Sequence, residues 1–354
     1  MSDAIERVCL SVNSVCNLKC NYCYFFAKPE GLPGPASLTA EEIGTILDNI
    51  HRYSLRPEVD KRIKINFVGS GEPLLSWTAI RTAVEQLHAT TPGHRLRFYM
   101  VTNGLLLTDT IIAEMKAIGL SPSVSLDGPA SLHDHARVRH NGRGSHAGVM
   151  RGIARLRAAG VPVAINTTLG RNVVNHLEEY FQFIAEQGFE KVIFDRLVDV
   201  PDDVAVSTPE FYRALRRIAE LKEAYGLTRL EIGNLEAYRR AIAGKPDRVC
   251  TMFGSTCGAG FNNIIYMQRD VYPCGRMFGQ ERWKLGRFDE PLERFPERMR
   301  ALVGQQGCGS CASQQSVAGP DCLIERERPD YSSEPRKAFI QWFTERSKVS
   351  ERLP

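Results

Sequence analysis

The sequence predicts an α/β protein whose first 200 residues form an open, partial, TIM-like barrel of about six βα units. Short apolar runs alternate there with amphipathic helical patterns, which is typical of a parallel sheet with helices packed outside it. Six units are too few for a closed barrel of eight strands. Four of the predicted strands end in cysteine-containing or glycine-rich turns, and loops at the carboxyl ends of parallel strands are where such folds bind ligands.

The elements follow in order from a first strand, RVCLSVN, which leads into the first cysteines. A helix is predicted over 39–53, where Thr39 suits the N-cap position and Glu42, three residues later, is its capping-box partner. The other strands are predicted as IKINFVG (63–69), LRFYMVTNG (96–104), SPSVSLDG (121–128), VPVAINTTL (161–169) and KVIFDRL (191–197), with helices at about 77–89, 108–119, 145–160 and 173–188.

The chain is predicted to divide into four parts. These are the partial barrel at 1–200, a helical linker region at 201–245, a small cysteine-rich domain at 246–330 and a C-terminal helix at 331–354. Within the third part, NNIIYMQRDVYPCGRM is typical of a hairpin.

Composition narrows the class of protein. Hydrophobic residues make up 43% of the 354 residues, which favours a folded core over disorder. The net charge of +4 is only mildly basic, whereas a nucleic-acid-binding domain is expected to carry a concentrated basic face. Nucleic acid is therefore not an expected partner. The polar N-terminus has no signal-peptide core and no run is long enough to span a membrane. We therefore expect a cytoplasmic protein without a membrane partner.

Ten cysteines in a reducing compartment predict metal ligands rather than disulfides. Cys16, Cys20 and Cys23 lie within eight positions after the first strand. Three thiolates suit an iron–sulfur cluster, and on a four-iron cluster they leave one iron open for a substrate or cofactor. A zinc site with a distant fourth ligand, or buried cysteines, is the alternative. Cys9, inside the first strand, is expected to be a core residue.

The run CNLKCNYCY (16–24) resembles the signature of radical S-adenosylmethionine (SAM) enzymes. GSGEP (69–73), VTNG (101–104) and SVSLDG (123–128) resemble the strand ends of that family in the same order, so the resemblance covers roughly residues 5–200. It implies a [4Fe–4S] cluster on Cys16, Cys20 and Cys23 that binds SAM and cleaves it reductively to a 5′-deoxyadenosyl radical. The cofactor-binding residues predicted with it are Tyr24, Gly69, Gly71, Glu72, Pro73, Asn103, Ser125 and Asn166.

The loop HDHARVRH is expected to be exposed at the rim of this site, and Asp127 is also expected to lie at the rim. Arg143, with Arg137 and Arg139, is predicted to hold the SAM carboxylate or an acidic peptide, and a solvated basic loop is the alternative. Its histidines, together with the nearby His146, are expected to be rim or substrate contacts rather than metal ligands. They are His133, His135, His140 and His146.

The later cysteines resemble an auxiliary-cluster domain of the SPASM type or of its shorter twitch relative, over roughly 250–325. One complete auxiliary cluster is implied, and the alternatives are two clusters or a structural zinc site. The predicted ligands are Cys250, Cys257, Cys274, Cys308, Cys311 and Cys322. The slightly favoured set of cluster ligands is Cys250, Cys257, Cys274 and Cys322. The alternative set is Cys257, Cys274, Cys308 and Cys311.

Such domains mostly accompany peptide-modifying radical SAM enzymes, and SLDGPASLHDHARVRHNGRGSHAGV resembles that group. The implied reaction is hydrogen abstraction from a ribosomally made peptide or protein, forming a C–C, C–O or thioether cross-link. Sulfatase-maturase-like oxidation of Cys or Ser ranks lower because Gly275 stands where those relatives carry a general base. The same residues also allow a small-molecule radical SAM dehydrogenase or, if the chain is not an enzyme, a metal-stabilised binding protein.

The partners expected follow from this interpretation. Only fifteen residues precede the cysteine loop, which is too few for a leader-binding domain, so a separate leader-peptide-binding protein is expected. An electron donor such as flavodoxin or ferredoxin would reduce the cluster. No residue is assigned as the catalytic base.

Overall fold

The computed structural model describes residues 4–23, 25, 36–245, 248–305 and 321–350. The strands are β1 Arg7–Ser11, β2 Ile63–Phe67, β3 Leu96–Thr102, β4 Leu120–Ser125, β5 Ala164–Leu169, β6 Lys191–Arg196, β7 Glu231–Ile232, β8 Arg248–Val249, β9 Thr256–Cys257, β10 Asn263–Met267, β11 Asp270–Tyr272 and β12 Gly286–Arg287. The helices are α1 Ala40–Ser54, α2 Trp77–Thr90, α3 Asp109–Ala117, α4 Ala130–Ala136, α5 His146–Ala158, α6 Arg171–Asn175, α7 Leu177–Gln187, α8 Thr208–Ala224, α9 Gly233–Ile242, α10 Arg294–Gln305, α11 Leu323–Arg326 and α12 Glu334–Ser350.

The first of two compact units comprises Met1–Ser125, Arg137–Val163 and Gly258–Gly309. Its strands lie in the order β12-β11-β10-β1-β2-β3-β4. The pairs from β10 to β4 are parallel, whereas β11 is antiparallel to both β10 and β12, so the predicted hairpin is present. That hairpin adds to the β1 edge, where Arg7 pairs with Asn263.

Alternation along the strands explains this sheet. Val8 and Leu10 of β1 are fully buried on the face that the helices cover, and β2 and β3 repeat the pattern. The helix α1 begins with the predicted capping box, in which Thr39 and Glu42 bond each other's backbone N–H groups. Burial of an isoleucine such as Ile46 of α1, which is fully buried, contributes about 1.5–3 kcal/mol.

The second unit comprises Leu126–Ala136, Ala164–Cys257 and Ser310–Pro354. Its strands β5, β6 and β7 are parallel, and β8 pairs separately with β9. The helices α8, α9 and α12 bury a cluster of aromatic rings, including Tyr212, Tyr238 and Phe339. The α/β class and the open, mainly parallel sheet predicted from the sequence are therefore confirmed.

Three local predictions are corrected. The helix predicted over 173–188 is interrupted at His176, whose backbone is not helical, and forms α6 and α7. The histidine-rich loop begins with helix α4, in which His133 is fully buried and its Nδ1 accepts from the Asp127 backbone N–H. Asp127 is buried as well, at 1% exposure, so neither Asp127 nor His133 lies at an exposed rim.

None of the helices in the described ranges has both the length and the hydropathy needed to cross a bilayer.

Candidate active site

The cysteine loop follows the carboxyl end of β1. Cys16, Cys20 and Cys23 are partly buried thiols, and a turn in which the Cys23 N–H donates to the Cys20 carbonyl at 3.1 Å brings the last two together. The Leu18 N–H donates to the Cys16 sulfur at 3.4 Å. Burial raises the pKa of the Cys16 thiol, and the Leu18 hydrogen bond opposes the rise, while the charges of Glu72 and Cys23 add to it.

Glu72 joins the ends of β2 and β3. Its side chain is 3% exposed, and its carboxylate accepts from the Thr102 hydroxyl at 2.6 Å, the Leu74 N–H at 3.1 Å and the Asn103 N–H at 2.8 Å. Burial raises the pKa of this carboxyl, and the three hydrogen bonds counteract the rise. The Glu72 N–H also donates to the Val15 carbonyl at 2.8 Å, which ties the cysteine loop to the same point.

Asn103 continues this connection towards the cysteines. Its Nδ2 donates to Asn17 Oδ1 at 2.6 Å and lies 3.9 Å from the Cys16 sulfur. The predicted residues Cys16, Glu72 and Asn103 are therefore brought together by direct contacts at three neighbouring strand ends.

Close packing explains the glycines of GSGEP. A Cβ on Gly69 would lie 2.1 Å from Ser11 Cβ, and one on Gly71 would lie 1.9 Å from Asn13 Oδ1. The following Pro73 is buried and begins a 3₁₀ turn over Pro73–Ser76. Close packing therefore requires glycine at both positions, independently of any ligand that the turn contacts.

The segment after α4 lies against the cysteine loop. The Lys19 N–H donates to the Val138 carbonyl at 2.8 Å, and His140 Nε2 donates to the Cys16 carbonyl at 2.9 Å. The guanidinium of buried Arg137 is 5.4 Å from the centre of the Tyr22 ring, within cation–π range. Arg143 is exposed on the other arm of this segment, where Val138 and Gly144 form a bridge.

One face of the first unit's sheet is polar. Cys9, Asn66 and Tyr99 are cross-strand neighbours in register, on the side opposite the buried apolar residues. Cys9 is therefore not a core residue: it is partly exposed on this face, and its sulfur lies 3.9 Å from Asn263 Oδ1. Asn66 Oδ1 is buried without a hydrogen-bond partner. Because parallel sheets are usually apolar on both faces, this face has the character of a ligand-binding surface. Ser125, partly buried, ends β4.

Asn166 lies on β5 of the second unit. Its Nδ2 is 3.5 Å from Asp195 Oδ2, while its Oδ1 is buried without a hydrogen-bond partner. Asp127 of the same unit is used differently, since its Oδ1 accepts from the Thr168 N–H at 2.9 Å and its own N–H donates to His133 Nδ1 at 3.3 Å. Asn166 thus keeps an acceptor for a ligand, whereas Asp127 and His133 fix the backbone.

The late cysteines are distributed over both units. Cys250, Cys257 and Cys322 belong to the second unit and Cys274 to the first. Tyr24, Cys308 and Cys311 lie outside the described residues. Across the described ranges, no three His, Cys, Asp or Glu side chains surround one point as ligands of a single metal ion do. The thiols of the cysteine loop nevertheless have the donor chemistry of an iron–sulfur cluster, whose several irons take separate thiolates.

Two asparagines of the site were not singled out from the sequence. Asn13 Nδ2 donates to the Glu72 carbonyl at 3.0 Å and to Ser76 Oγ at 2.8 Å, and its Oδ1 accepts from the Val15 N–H at 3.2 Å. Asn17 accepts from Asn103. The sequence feature that could have identified them is their position, since both are amide side chains in the loop that follows β1.

Comparisons with known proteins agree with this site. A family model described as the radical SAM superfamily matches residues 10–184. The AdoMet-dependent heme synthase of Oleidesulfovibrio alaskensis is 32% identical over 189 residues, which is 53% of this chain and 44% of that protein. The cysteine-type anaerobic sulfatase-maturating enzyme of Clostridium novyi is 22% identical over 289 residues, 78% of this chain and 75% of that protein. The chain spans only 64% of an uncharacterized Methanocaldococcus jannaschii relative.

Solved structures share the fold at low sequence identity. The structure of anSMEcpe with bound AdoMet has a TM-score of 0.79 at 17% identity and covers 98% of this chain and 100% of that one. Streptococcus suis SuiB bound to S-adenosylmethionine has a TM-score of 0.65 at 15% identity, over 93% and 76%. The family match over residues 10–184 and the joined strand ends beside the cysteine loop identify a radical SAM domain in this part of the chain.

Proposed function

We propose that this enzyme cleaves SAM reductively and abstracts a hydrogen atom from a side chain of a ribosomally made peptide or protein, forming a cross-link. The observation that carries the proposal is the buried Glu72 carboxylate, which with Asn103 joins the ends of β2 and β3 to the cysteine loop after β1. Peptide binding is supported by likeness in fold to anSMEcpe with its Cp18Cys peptide, at a TM-score of 0.80, and to SuiB with its precursor peptide SuiA, at 0.62.

The residues of the first unit divide the work of binding and orientation. Cys16, Cys20 and Cys23 would hold the [4Fe–4S] cluster that the family uses with SAM. When bound, that cluster supplies the electron that breaks a carbon–sulfur bond of SAM. Glu72 and Asn103 hold the loop rigidly at the strand ends. Rigid placement of this kind matters because small misplacements of reacting groups cost large factors in rate.

Other predicted residues would contact SAM or the substrate. Asn166 Oδ1 is a buried acceptor that a ligand donor would satisfy, and Ser125 offers a hydroxyl at the end of β4. The backbone of the turn at Gly69 and Gly71 and the exposed Arg143 remain predicted contacts of the SAM amino and carboxylate groups.

An auxiliary iron–sulfur cluster on the late cysteines is the second part of the proposal. Cys250, Cys257 and Cys322 of the second unit are partly or fully buried thiols, which suits ligands screened from solvent. The Met252 N–H donates to the Cys250 sulfur at 3.4 Å, a contact common around cluster-binding thiolates. A reduced flavodoxin or ferredoxin and a separate leader-peptide-binding protein are the proposed partners.

Sulfatase-type maturation, the oxidation of a peptidyl Cys or Ser, is the second candidate. It is favoured by the likeness to the Clostridium novyi enzyme, which extends over 78% of this chain. Gly275, which begins a 3₁₀ turn directly after Cys274, provides no carboxylate for proton abstraction. The first candidate is therefore preferred.

Anaerobic reconstitution with iron and sulfide tests the proposal. We expect about eight irons per chain and release of 5′-deoxyadenosine from SAM under reductant. A cysteine-containing peptide should stimulate that release, and the mass of the peptide should fall by the mass of the hydrogen atoms removed. A serine-containing peptide is the matched comparison. Stimulation by an iron porphyrin but by neither peptide would instead favour a small-molecule substrate, in keeping with the likeness to heme synthases. Stoichiometric zinc without SAM cleavage would refute the enzymatic proposal.

A further inference from the structure

Two buried arginines connect the cysteine segments of the second unit. One segment carries Cys250 and Cys257, and the other carries Asp321 and Cys322. Cys257 and Cys322 are 65 residues apart along the chain, yet each arginine contacts both segments. The contacts fall within a few residues of the cysteines themselves.

Arg336, on α12, makes its connection entirely through its side chain, which is part of a residue only 5% exposed. Its Nη2 donates to the Ser255 carbonyl, two residues before Cys257. Its Nη1 lies 2.8 Å from Asp321 Oδ1, and Asp321 directly precedes Cys322. A planar guanidinium can bond two acceptors in fixed directions, which a lysine ammonium does not.

Arg196, at the end of β6, forms the second connection. Its N–H donates to the Met252 carbonyl at 3.2 Å, two residues after Cys250. Its Nη1 lies 3.3 Å from Glu325 Oε2, three residues after Cys322, and the Thr208 hydroxyl donates to the same oxygen at 3.1 Å. Both Arg196 and Glu325 are buried, at 7% and 6% exposure.

We propose that Arg336 is a positioning residue for the auxiliary cluster and fixes the Cys257 and Cys322 segments in one ligand geometry. The inference rests on the proposed auxiliary cluster. Buried ion pairs are often no more stabilising than apolar side chains of similar volume, so stability alone is a weak reason for one here. A guanidinium that bonds one acceptor in each of two cysteine segments specifies the relative position of those segments. Apolar packing would specify that position less sharply.

The experiment uses the full chain carrying Cys16→Ala, Cys20→Ala and Cys23→Ala, so that the remaining iron reports the late cysteines. Into this parent we would introduce Arg336→Met, the double change Asp321→Asn with Arg336→Met, and the control Arg346→Met. Arg346 is on the same helix and pairs with Glu223 instead. Three quantities are measured: the rate of iron loss to a ferrous chelator, the melting temperature, and the alkylation rate of Cys322 in the iron-free protein by mass spectrometry.

We expect Arg336→Met to weaken iron retention by about 10–100-fold, as loss of residues that orient metal ligands does. Cys322, which is 8% exposed, should be alkylated faster. The double variant should regain the melting temperature, because no unpaired buried charge remains, but not iron retention or Cys322 protection.

Three outcomes would overturn the inference in different ways. If the double variant regains iron retention and Cys322 protection together with its melting temperature, Arg336 acts through stability alone. If the parent holds no iron while Arg336→Met still exposes Cys322, the auxiliary cluster itself is refuted, and there is nothing for Arg336 to position. Arg346→Met should match the parent in all three measurements, and an equal effect there would also contradict a specific role for Arg336.

Discussion

The backbone N–H of Asn103 donates to the Glu72 carboxylate at 2.8 Å, and this bond joins the ends of β2 and β3 beneath the cysteine loop. Glu72 is therefore both a predicted cofactor contact and the acceptor on which the local backbone depends. Its two oxygens accept three protein hydrogen bonds in a buried setting, so replacing the carboxylate changes structure as well as charge.

Changing Glu72 to Gln should destabilise the protein by about 1–3 kcal/mol, because the amide nitrogen would face a buried donor and leave it unsatisfied. The free energy of unfolding measured in urea checks this. Glu85→Gln is the matched control, since Glu85 is half-exposed and its contact with Arg81 is a surface pair at 3.9 Å. Surface pairs contribute about 0–1 kcal/mol, so equal effects of the two changes would contradict the role of Glu72.

Gly71→Ala should cost about 1–3 kcal/mol, because the added Cβ would overlap Asn13 Oδ1 and force the cysteine loop away from the β2 turn. Gly44→Ala, in α1, is the comparison, since a Cβ there meets nothing within 4 Å. Removing a helical glycine should stabilise by about 0.5–1 kcal/mol. The free energy of unfolding, measured in urea, should thus fall for Gly71→Ala and rise for Gly44→Ala. A change in the same direction for both variants would count against close packing at Gly71.

Changing Cys16, Cys20 and Cys23 together to Ala should abolish SAM cleavage and remove about half of the iron, leaving the iron of the late cysteines. Iron analysis and chromatographic measurement of 5′-deoxyadenosine give the two readouts. Cys9→Ala, in the adjacent strand, should leave the iron content unchanged, since Cys9 is on β1 rather than in the loop. SAM cleavage that survives the triple change would refute the assignment of these cysteines.

Local rules in the sequence were enough to predict the elements that surround the site. The Thr39 and Glu42 capping box depends on residues three positions apart, and it is present as predicted. The strands follow from alternation, and the order of the cysteine loop, GSGEP and VTNG follows from connecting parallel strands, which places their carboxyl ends together.

Features that depend on distant parts of the chain were not predictable. Nothing in RVCLS indicates that β10 pairs with it, with Arg7 opposite Asn263. His133 was expected at a rim because HDHARVRH resembles an exposed loop, but it lies in helix α4 and is fully buried, where its Nδ1 accepts from the Asp127 backbone N–H. The contacts of Arg336 with Ser255 and Asp321 likewise depend on the tertiary fold.

Glu210 should make stability depend on pH in the acid range. Hydrogen bonds from the Ser207 side chain and backbone, followed by the Arg171 charge, lower the pKa of this carboxyl. A lowered pKa in the folded state adds stability above the unfolded value, about 4.3, and this stability is lost as pH falls through the folded value. Glu210→Gln should therefore be less stable than the parent at pH 7, with the difference shrinking below about pH 4. A difference that grows on acidification would contradict this sign.

Asn166→Ala should separate ligand binding from stability. Its Oδ1 is buried without a partner, so its removal should leave the free energy of unfolding nearly unchanged, while SAM affinity should fall by about 10-fold if one hydrogen bond to the ligand is lost. Thr167→Val, on the same strand, should do the reverse. The Thr167 hydroxyl is 2.8 Å from the Leu126 carbonyl and 2.7 Å from the Tyr180 hydroxyl, so stability should drop with SAM affinity preserved. Equilibrium dialysis of SAM with reconstituted protein, paired with urea unfolding, measures both quantities. If Asn166→Ala binds SAM as the parent does, Asn166 is not a cofactor contact.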